Sequence, residues 1–159
     1  MKIISIDPGY ERLGIAIIEK TKGGKETLLF SECFKTSPKD EHCLRLSQIH
    51  TRIEYLIGAY YPEALAIENL FFNTNQKTAI LVAEARGVIL ALAALSGISA
   101  FEYSPPQIKL SVTGYGKSDK NQIMKMIPML IDIDKEITSD DEFDAIAVGL
   151  TYFAHNRVV

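Results

Sequence analysis

The sequence predicts an α/β fold in which a mixed five-stranded sheet carries helices on both faces. Three observations lead to this prediction. The chain begins with three apolar runs separated by short turns, later apolar runs alternate with helical patterns, and one later run is apolar on both faces. Short turns favour antiparallel neighbours, whereas a strand–helix–strand order favours parallel ones. The 159 residues lie within the usual length of one domain, so we expect a single domain over residues 1–159.

The first three strands form a predicted meander. The apolar runs are Lys2–Asp7, Leu13–Lys20 and Thr27–Lys35, and the segments between them, DPGYER and TKGGKE, are rich in turn-forming residues. A helix is predicted from Asp40 to about Tyr60, because leucine and isoleucine recur there near every 3.6 residues.

The remainder of the chain alternates strands and helices. The run ALAIENL, residues 64–70, is nearly all apolar, which is typical of a strand buried on both faces. A helix follows at about Gln76–Ser96, then a fifth strand at Ile98–Tyr103 and a short helix opened by prolines. Two further helices are predicted, one ending near Leu130 and one at roughly Asp141–Asn156. This order matches a ribonuclease-H-like fold.

Several classes of protein are disfavoured by composition. The longest apolar stretch, Gly87–Phe101, is too short and too interrupted to span a bilayer, and Asp7 interrupts the apolar run that a signal peptide would need. We therefore expect a cytoplasmic protein without a membrane partner. Cys33 and Cys43 form no disulfide framework, and the three histidines make no zinc pattern. Any metal would therefore have oxygen ligands.

Charge is unevenly distributed along the chain. The formal net charge is −3, yet residues 132–144 hold seven acids and one base, so the rest of the chain sums to +3. Residues 71–131 hold six bases and three acids. A basic region could neutralise phosphates while the acids hold cations. On charge alone, an ordinary solvated surface remains the favoured interpretation.

Two carboxylates belong to strands of the predicted sheet. Asp7 ends the first strand at a Pro-Gly turn, where an aspartate can be a simple turn former. Glu68 lies in a strand predicted to be buried, and a buried carboxylate requires a metal, a cation or hydrogen bonds. If these two strands are parallel neighbours, both carboxylates lie at the carboxyl edge of the sheet, where α/β folds bind ligands.

Asp141 and Asp144 are three residues apart at the start of the final predicted helix and so share a face. Acids at a helix N-terminus can simply cap it or stabilise its dipole, which explains Asp144 less well than its neighbours. Four carboxylates together would repel one another unless cations were bound. We therefore predict two Mg²⁺ ions about 4 Å apart, replaceable by Mn²⁺, a site suited to phosphodiester hydrolysis.

A second group of residues indicates a nucleic-acid substrate. Phe71 and Phe72 follow Glu68 and lead into a polar loop, where an aromatic ring could belong to the core or could stack on bases. Lys109, Lys117 and Lys120 could contact phosphates, and Lys117 follows a Gly-Tyr-Gly sequence that predicts a flexible loop. The GKS sequence at Lys117 does not indicate a phosphate-binding loop, because Ser111 replaces the glycine that such a loop needs.

These segments together resemble the RuvC-type crossover junction endodeoxyribonucleases. The similarity covers nearly the whole chain and includes IDPG (6–9), IEN with Phe71, EARGVIL (84–90), FEYSPPQIK, VTGYGKSDKNQI and DEFDAIAVGLT. Each motif alone is weak, whereas their order and spacing are specific. The resemblance implies a homodimer that cuts two opposed strands of a four-way DNA junction and leaves 5′-phosphates. It also implies two partners, a junction-binding protein and a branch-migration motor.

The resemblance assigns roles to single positions. Asp7, Glu68, Asp141 and Asp144 correspond to the metal-binding catalytic carboxylates, Phe71 to the aromatic residue that stacks on a base, and Lys109 and Lys120 to bases near the scissile phosphate. The chain departs from the usual pattern at Asn69, where glutamine is common, and at Leu13, where threonine is usual. Some relatives have histidine at the position of Asp141, so the metal preference stays open.

Three alternatives compete with a junction nuclease. A sugar-kinase or actin-like lobe also has an Asp-Pro-Gly-type phosphate turn, but it needs a second lobe for which this chain has no room. A non-catalytic DNA-binding module on the same fold would gain nothing from four acids that repel phosphate. A ribonuclease-H-like nuclease acting on RNA is the closest alternative. The aromatic loop, the basic helix and the family resemblance favour branched DNA over it.

Overall fold

A computed structural model describes residues 1–70 and 76–156, with the side chains of residues 76 and 77 not described. The strands are β1 (Lys2–Asp7), β2 (Arg12–Lys20), β3 (Glu26–Lys35), β4 (Ala64–Glu68), β5 (Ser99–Tyr103) and β6 (Ile131–Asp132). The helices are α1 (His42–Tyr60), α2 (Gln76–Leu95), α3 (Pro105–Thr113), α4 (Lys120–Leu130) and α5 (Asp140–His155). The predicted order of elements is confirmed.

The strands form one mixed sheet in the order β5-β4-β1-β2-β3-β6. β1, β2 and β3 are antiparallel neighbours, as the short turns predict, and β4 pairs parallel with both β1 and β5. The prediction of five strands is wrong by one, since β6 adds a short parallel pairing of Ile131 with Glu26 and of Asp132 with Thr27. A strand of two residues is too short to carry a periodic sequence signal.

Helices cover both faces of the sheet, which confirms that part of the prediction. Side chains alternate along the strands. Ile4 and Ile6 of β1 therefore belong to a core with α1 and α2, whereas Ile3 belongs to a second core with α3, α4 and α5. Helix α5 packs directly across β1 and β2. A Cβ at Gly149 would lie 2.5 Å from Ile18 Cδ1, so glycine allows this close approach.

The boundaries of two helices differ slightly from the prediction. Helix α5 begins at Asp140 because Ser139 is its N-cap and its hydroxyl accepts a hydrogen bond from the backbone N–H of Asp141. The cap is therefore a serine and none of the acids that follow it. Helix α1 begins at His42, two residues later than predicted.

Helix α2 contains a longer apolar segment than the stretch Gly87–Phe101, which the sequence indicated to be too short to span a bilayer. Its segment Thr78–Leu95 has a mean hydropathy of 1.9, and by length and composition it could cross a membrane, with 22% of it buried in the described structure. One such helix is weak support for a membrane span, because apolar helices of folded domains share these features. Ile80 and Leu95, which are 57% and 85% exposed, present part of this apolar surface.

Candidate active site

The carboxyl ends of β1 and β4 form one side of a cavity of about 300 Å³. The two strands are parallel neighbours with Ile6 opposite Ile67, so the next residues, Asp7 and Glu68, emerge side by side. This juxtaposition is the one expected from the sequence. Helices complete the wall, and the lining residues of the described chain are Asp7, Glu68, Pro105, Ile108, Lys109, Lys120, Ile123, Asp144 and Ala147.

The environment of the two strand carboxylates opposes their ionisation. Burial raises the pKa of Asp7 well above its usual value, and the negative charges of Glu68, Asp144 and Asp141 raise it further. Burial also raises the pKa of Glu68 to about 7, assisted by Asp144 and opposed by Lys109. Carboxylates that repel one another in a partly buried cavity form a site that gains stability from a bound cation.

Asp144 comes to the cavity from the first turns of α5. Its Oδ2 lies 3.1 Å from Lys120 Nζ in an ion pair, and the same ammonium lies 3.2 Å from Asp140 Oδ2. Burial raises the pKa of Asp144 although Lys120 lowers it. Lys120 therefore lines the cavity while it neutralises one of its acids.

Asp141 has different neighbours from the other three carboxylates and is not among the residues that line the cavity. Its Oδ2 accepts from Arg12 Nε at 2.9 Å, from a second nitrogen of the same guanidinium, and from Ser139 Oγ at 2.8 Å. Burial raises the pKa of Asp141, but the hydrogen bonds from Arg12, Ser139 and Cys33 outweigh it and lower the pKa to about 2. Asp141 is therefore firmly ionised.

Gly14 of β2 allows Asp141 to lie close to Asp7, because it has no side chain. Gly14 is the register partner of Asp7, and a Cβ at Gly14 would lie 2.1 Å from the Asp141 carbonyl oxygen and 3.1 Å from Asp7 Cβ. Any side chain at this position would push α5 away from the sheet. The separation of the strand carboxylates from the helix carboxylates therefore depends on this glycine.

The turn that follows Asp7 is fixed from several sides. The Tyr10 carbonyl accepts from Thr36 Oγ1 at 2.6 Å, the Tyr10 hydroxyl is 2.7 Å from His42 Nδ1, and the Arg45 guanidinium stacks 3.7 Å above the Tyr10 ring. His42 Nε2 in turn lies 3.0 Å from Glu84 Oε2 of α2. These contacts connect the turn to α1 and α2, on the face of the sheet opposite α5.

The end of β4 is held by Arg86 of α2. Its Nε donates to the Glu68 carbonyl at 3.3 Å, and its NH2 group donates to Asn69 Oδ1 at 3.4 Å and pairs with Glu102. Arg86 thus contacts the backbone of the residue whose side chain enters the cavity. It stabilises the strand end without contacting that carboxylate.

An ion pair between a buried carboxylate and a partly exposed lysine fixes the N-terminus of α5 against β3. Glu142 is buried, and its Oε2 accepts from Lys135 Nζ and from Ser31 Oγ, each at 2.6 Å. Lys135 also donates to the Ser31 carbonyl at 2.7 Å. This arrangement sets the position of the helix turn that carries Asp141 and Asp144.

The carboxylates provide the donor chemistry that a hard divalent cation prefers, since oxygen ligands suit Mg²⁺ and Mn²⁺. Over residues 1–70 and 76–156, no three aspartate, glutamate, histidine or cysteine side chains converge closely enough to hold an ion as they stand. Two basic side chains pair with the acids of α5: Arg12 pairs with Asp141, and Lys120 pairs with Asp144. Asp7, Glu68 and Asp144 nevertheless line one cavity with oxygen donors of the kind such a cation binds, whereas Asp141 lies outside that lining.

The predicted DNA-binding residues are placed differently from one another. Lys109 and Lys120 line the cavity, whereas Lys117 is exposed in the turn before α4 and is not a lining residue. Phe71 lies outside the described residues, so its stacking role stays a prediction.

Sequence reasoning did not single out Arg12, Lys135 or Arg86. Arg12 is a base in the turn immediately after the strand that ends in Asp7, and that proximity could have drawn attention to it. Its pairing with Asp141 spans 129 residues, and no local pattern encodes such a contact.

Comparisons with known proteins show what this chain is similar to. The sequence model of a family described as "Crossover junction endodeoxyribonuclease RuvC" matches residues 3–152. A protein of that name from Caldicellulosiruptor saccharolyticus is 39% identical over 159 residues, covering 100% of this chain and 96% of the relative. Another from Thermosipho melanesiensis is 45% identical over 149 residues, covering 94% of each chain.

A solved structure gives the same result in three dimensions. T. thermophilus RuvC in complex with Holliday junction substrate is similar with a TM-score of 0.91 and 30% sequence identity, over 98% of this chain and 94% of that one. The similarity therefore extends over almost the whole length of both chains.

Proposed function

Because this chain belongs to the RuvC family of crossover junction endodeoxyribonucleases, we propose that it is a structure-selective endonuclease that resolves four-way (Holliday) DNA junctions. The reaction is metal-dependent hydrolysis of phosphodiester bonds in DNA recombination and repair. It makes paired nicks in opposed strands and leaves 5′-phosphate ends.

One observation carries this proposal for the chain itself. A single cavity brings together Asp7 and Glu68 from two parallel strands, Asp144 from α5, and the ammonium groups of Lys109 and Lys120. Carboxylates can hold cations, and lysines can hold the phosphate that the cations activate. A site that only bound DNA would gain nothing from acids buried next to phosphate.

The four carboxylates Asp7, Glu68, Asp141 and Asp144 would hold two Mg²⁺ ions, for which Mn²⁺ can substitute. When bound, the ions activate the attacking water and stabilise the charge on the leaving 3′ oxygen. Lys109 and Lys120 hold the scissile phosphate at the cavity, and Lys117 contacts the DNA backbone further out. Arg86 and the Glu142–Lys135 pair keep β4 and α5 in place while the phosphate is held.

The acting species is a homodimer, since a four-way junction is nearly two-fold symmetric and two opposed strands need two sites. The exposed apolar residues of α2, such as Ile80 and Leu95, support an interface with a second copy. Phe71 is proposed to stack on a base at the junction. We also propose that the protein is cytoplasmic and has no membrane partner. Its protein partners are a junction-binding protein and a branch-migration motor.

A cleavage assay tests the function directly. The purified protein is incubated with a synthetic four-way junction and with a linear duplex of the same sequence, in Mg²⁺ and in chelator. We expect paired nicks in the junction only, in Mg²⁺ only, and none with the Asp7→Asn variant. This variant keeps the size of the side chain and removes its charge.

The other results have distinct meanings. Junction binding without cutting, in either Mg²⁺ or Mn²⁺, would make the protein a non-catalytic binding module. If junction and duplex are cut equally, the proposed selectivity for branched DNA is wrong. Cutting confined to an RNA–DNA hybrid would assign the site to an RNA-directed nuclease.

A further inference from the structure

The contacts of Arg12 point beyond the residues assigned above. Arg12 opens β2 directly after the turn that begins at Asp7, and its side chain is 52% exposed. Its guanidinium donates twice to Asp141 Oδ2, and it donates to Ser139 Oγ at 3.2 Å. The group therefore contacts the start of α5 and is at the same time open to solvent.

This ion pair occupies one of the two oxygens of the Asp141 carboxylate and places a positive charge beside it. Asp141 Oδ2 accepts hydrogen bonds from two guanidinium nitrogens and from Ser139 Oγ. A divalent cation on the same carboxylate would lose Oδ2 as a ligand and would be repelled by the guanidinium charge beside it. Arg12 and a cation therefore compete for the same carboxylate.

A phosphate group is the natural alternative partner for Arg12. The planar guanidinium matches the two oxygens of a phosphate as well as it matches a carboxylate. Lys120 provides an analogous case, because it lines the cavity yet pairs with Asp140 and Asp144. Both cations that cover acids of α5 can thus exchange a carboxylate for the backbone of an entering DNA strand.

We propose that Arg12 is a further DNA-contacting residue, a role that rests on the proposed function. Arg12 exchanges Asp141 for a DNA phosphate, and this exchange frees Asp141 to bind metal. Metal and DNA then bind cooperatively. DNA raises the affinity for metal by removing Arg12 from Asp141, and by linkage metal raises the affinity for DNA. Without DNA, the site holds its cation weakly.

Two measurements that do not depend on cleavage test this exchange. Mn²⁺ binding to the full-length protein without DNA is followed by the electron paramagnetic resonance signal of free Mn²⁺. Junction binding is followed by fluorescence anisotropy in chelator over a range of salt concentrations. The variants are Arg12→Gln, Arg12→Lys and the control Arg52→Gln. The control loses an arginine that pairs with Glu32 and belongs to α1, on the other face of the sheet from α5.

We expect Arg12→Gln to bind Mn²⁺ about threefold more tightly than the unmodified protein, as for the loss of one partly exposed competing ion pair. For Arg12→Gln, the slope of log Kd for the junction against the logarithm of the salt concentration should be smaller by about 0.9, because one phosphate contact is lost. Arg12→Lys should tighten Mn²⁺ binding less and keep the slope, and Arg52→Gln should change neither quantity.

The exchange is overturned if Arg12→Gln leaves either the Mn²⁺ affinity or the salt slope unchanged while the unmodified protein still cuts junctions. If circular dichroism shows that Arg12→Gln is unfolded, Arg12→Lys decides, and an unchanged Mn²⁺ affinity in that variant overturns the proposal. An unmodified protein that cuts no junction in Mg²⁺ or Mn²⁺ refutes the proposed function, and the exchange with it.

Discussion

At the scale of single residues, Glu68 combines two properties that are usually exclusive. It ends a strand with four buried residues, and it carries a carboxylate whose pKa burial and Asp144 raise to about 7. The charged form is therefore destabilised in the folded chain when no cation is bound. A residue with this environment lowers stability at neutral pH, which is a common property of functional sites.

This property leads to a pH-dependent prediction. The pKa of Glu68 is about 7 in the folded chain and near its ordinary 4.5 in the unfolded chain, so between these values the folded chain binds more protons. The contribution of Glu68 to stability is present below about pH 4.5 and is lost as the pH rises through about 7. We therefore expect Glu68→Gln to gain stability relative to the unmodified protein on going from about pH 5 to about pH 8, by roughly 1–3 kcal/mol.

Urea denaturation in chelator at both pH values measures this gain. Glu54→Gln, at an exposed position of α1, controls for the loss of one negative charge. Millimolar Mg²⁺ should reduce the difference between Glu68→Gln and the unmodified protein, because bound metal stabilises the carboxylate. If the difference in free energy of unfolding between Glu68→Gln and the unmodified protein does not vary with pH, the Glu68 carboxylate does not destabilise the folded chain.

The positions of Asp7 and Glu68 could be predicted from the sequence because each depends on a local pattern and one topological rule. An apolar run predicts a strand, and parallel neighbours place their ends at one edge. The environment of Asp141 could not be predicted in this way. It depends on Arg12, 129 residues away, and on a serine that caps α5 in place of an acid.

At the scale of elements, the distance between α5 and the sheet is set at Gly14. A methyl group there would lie 2.1 Å from the Asp141 carbonyl oxygen, so Gly14→Ala must displace α5 or β2. We expect a loss of stability of about 1–3 kcal/mol and a large loss of junction cutting, because Asp141 and Asp144 move with the helix. Urea denaturation and the cleavage assay measure the two effects.

Gly58→Ala is the matched control for this substitution. Gly58 lies in α1, and a Cβ there meets nothing within 4 Å. The same added methyl group should stabilise the protein by about 0.5–1 kcal/mol through helix propensity and leave cutting unchanged. Equal stability changes in the two variants would show that the close approach at Gly14 is not limiting.

The junction of α5 with β3 gives a second prediction at this scale. Glu142 is buried, with Lys135 and Ser31 as partners, and these interactions lower its pKa although burial alone would raise it. Glu142→Gln weakens the hydrogen bonds that Lys135 and Ser31 make to a buried charged group and should cost about 1–3 kcal/mol near neutral pH. Asp132→Asn, which breaks the exposed pair with Lys25, should cost less than about 1 kcal/mol in the same urea titration. If the two variants are equally stable, the pair of Glu142 with Lys135 does not fix α5.

Sequence patterns predicted the elements themselves better than their ends. β1 agrees with its predicted range residue by residue, because a charge and a Pro-Gly turn follow the apolar run. β6 was missed because two residues that extend a sheet edge have no period of their own. Its formation depends on the edge left by β3, which is a tertiary feature.

At the scale of the whole molecule, α2 connects the fold to the proposed dimer. Ile80 and Leu95 are largely exposed although they belong to the most apolar helix of the described chain. We expect Ile80→Glu to dissociate the dimer, seen as a halved mass in light scattering, and to convert paired nicks into single ones. The monomer should stay folded, because the side chain makes little contact with its own core.

Met129→Glu is the control for this variant, since Met129 is 67% exposed on α4 and not on α2. It introduces the same charge on a different surface and should leave the mass and the paired nicks unchanged. If both variants remain dimeric, the interface lies elsewhere. If both dissociate, the interface extends to α4.

The position of α5 across β1 and β2 has a consequence for the order in which the protein matures. Asp7 belongs to β1, whereas Asp141 and Asp144 are made after almost every other element, and α5 must then pack against the earliest two strands. Contacts between such distant segments form slowly. A nascent chain can therefore pair β1 with β4 well before it has any helix carboxylates. The full set of carboxylates is therefore assembled only once α5 has been made and has packed against β1 and β2.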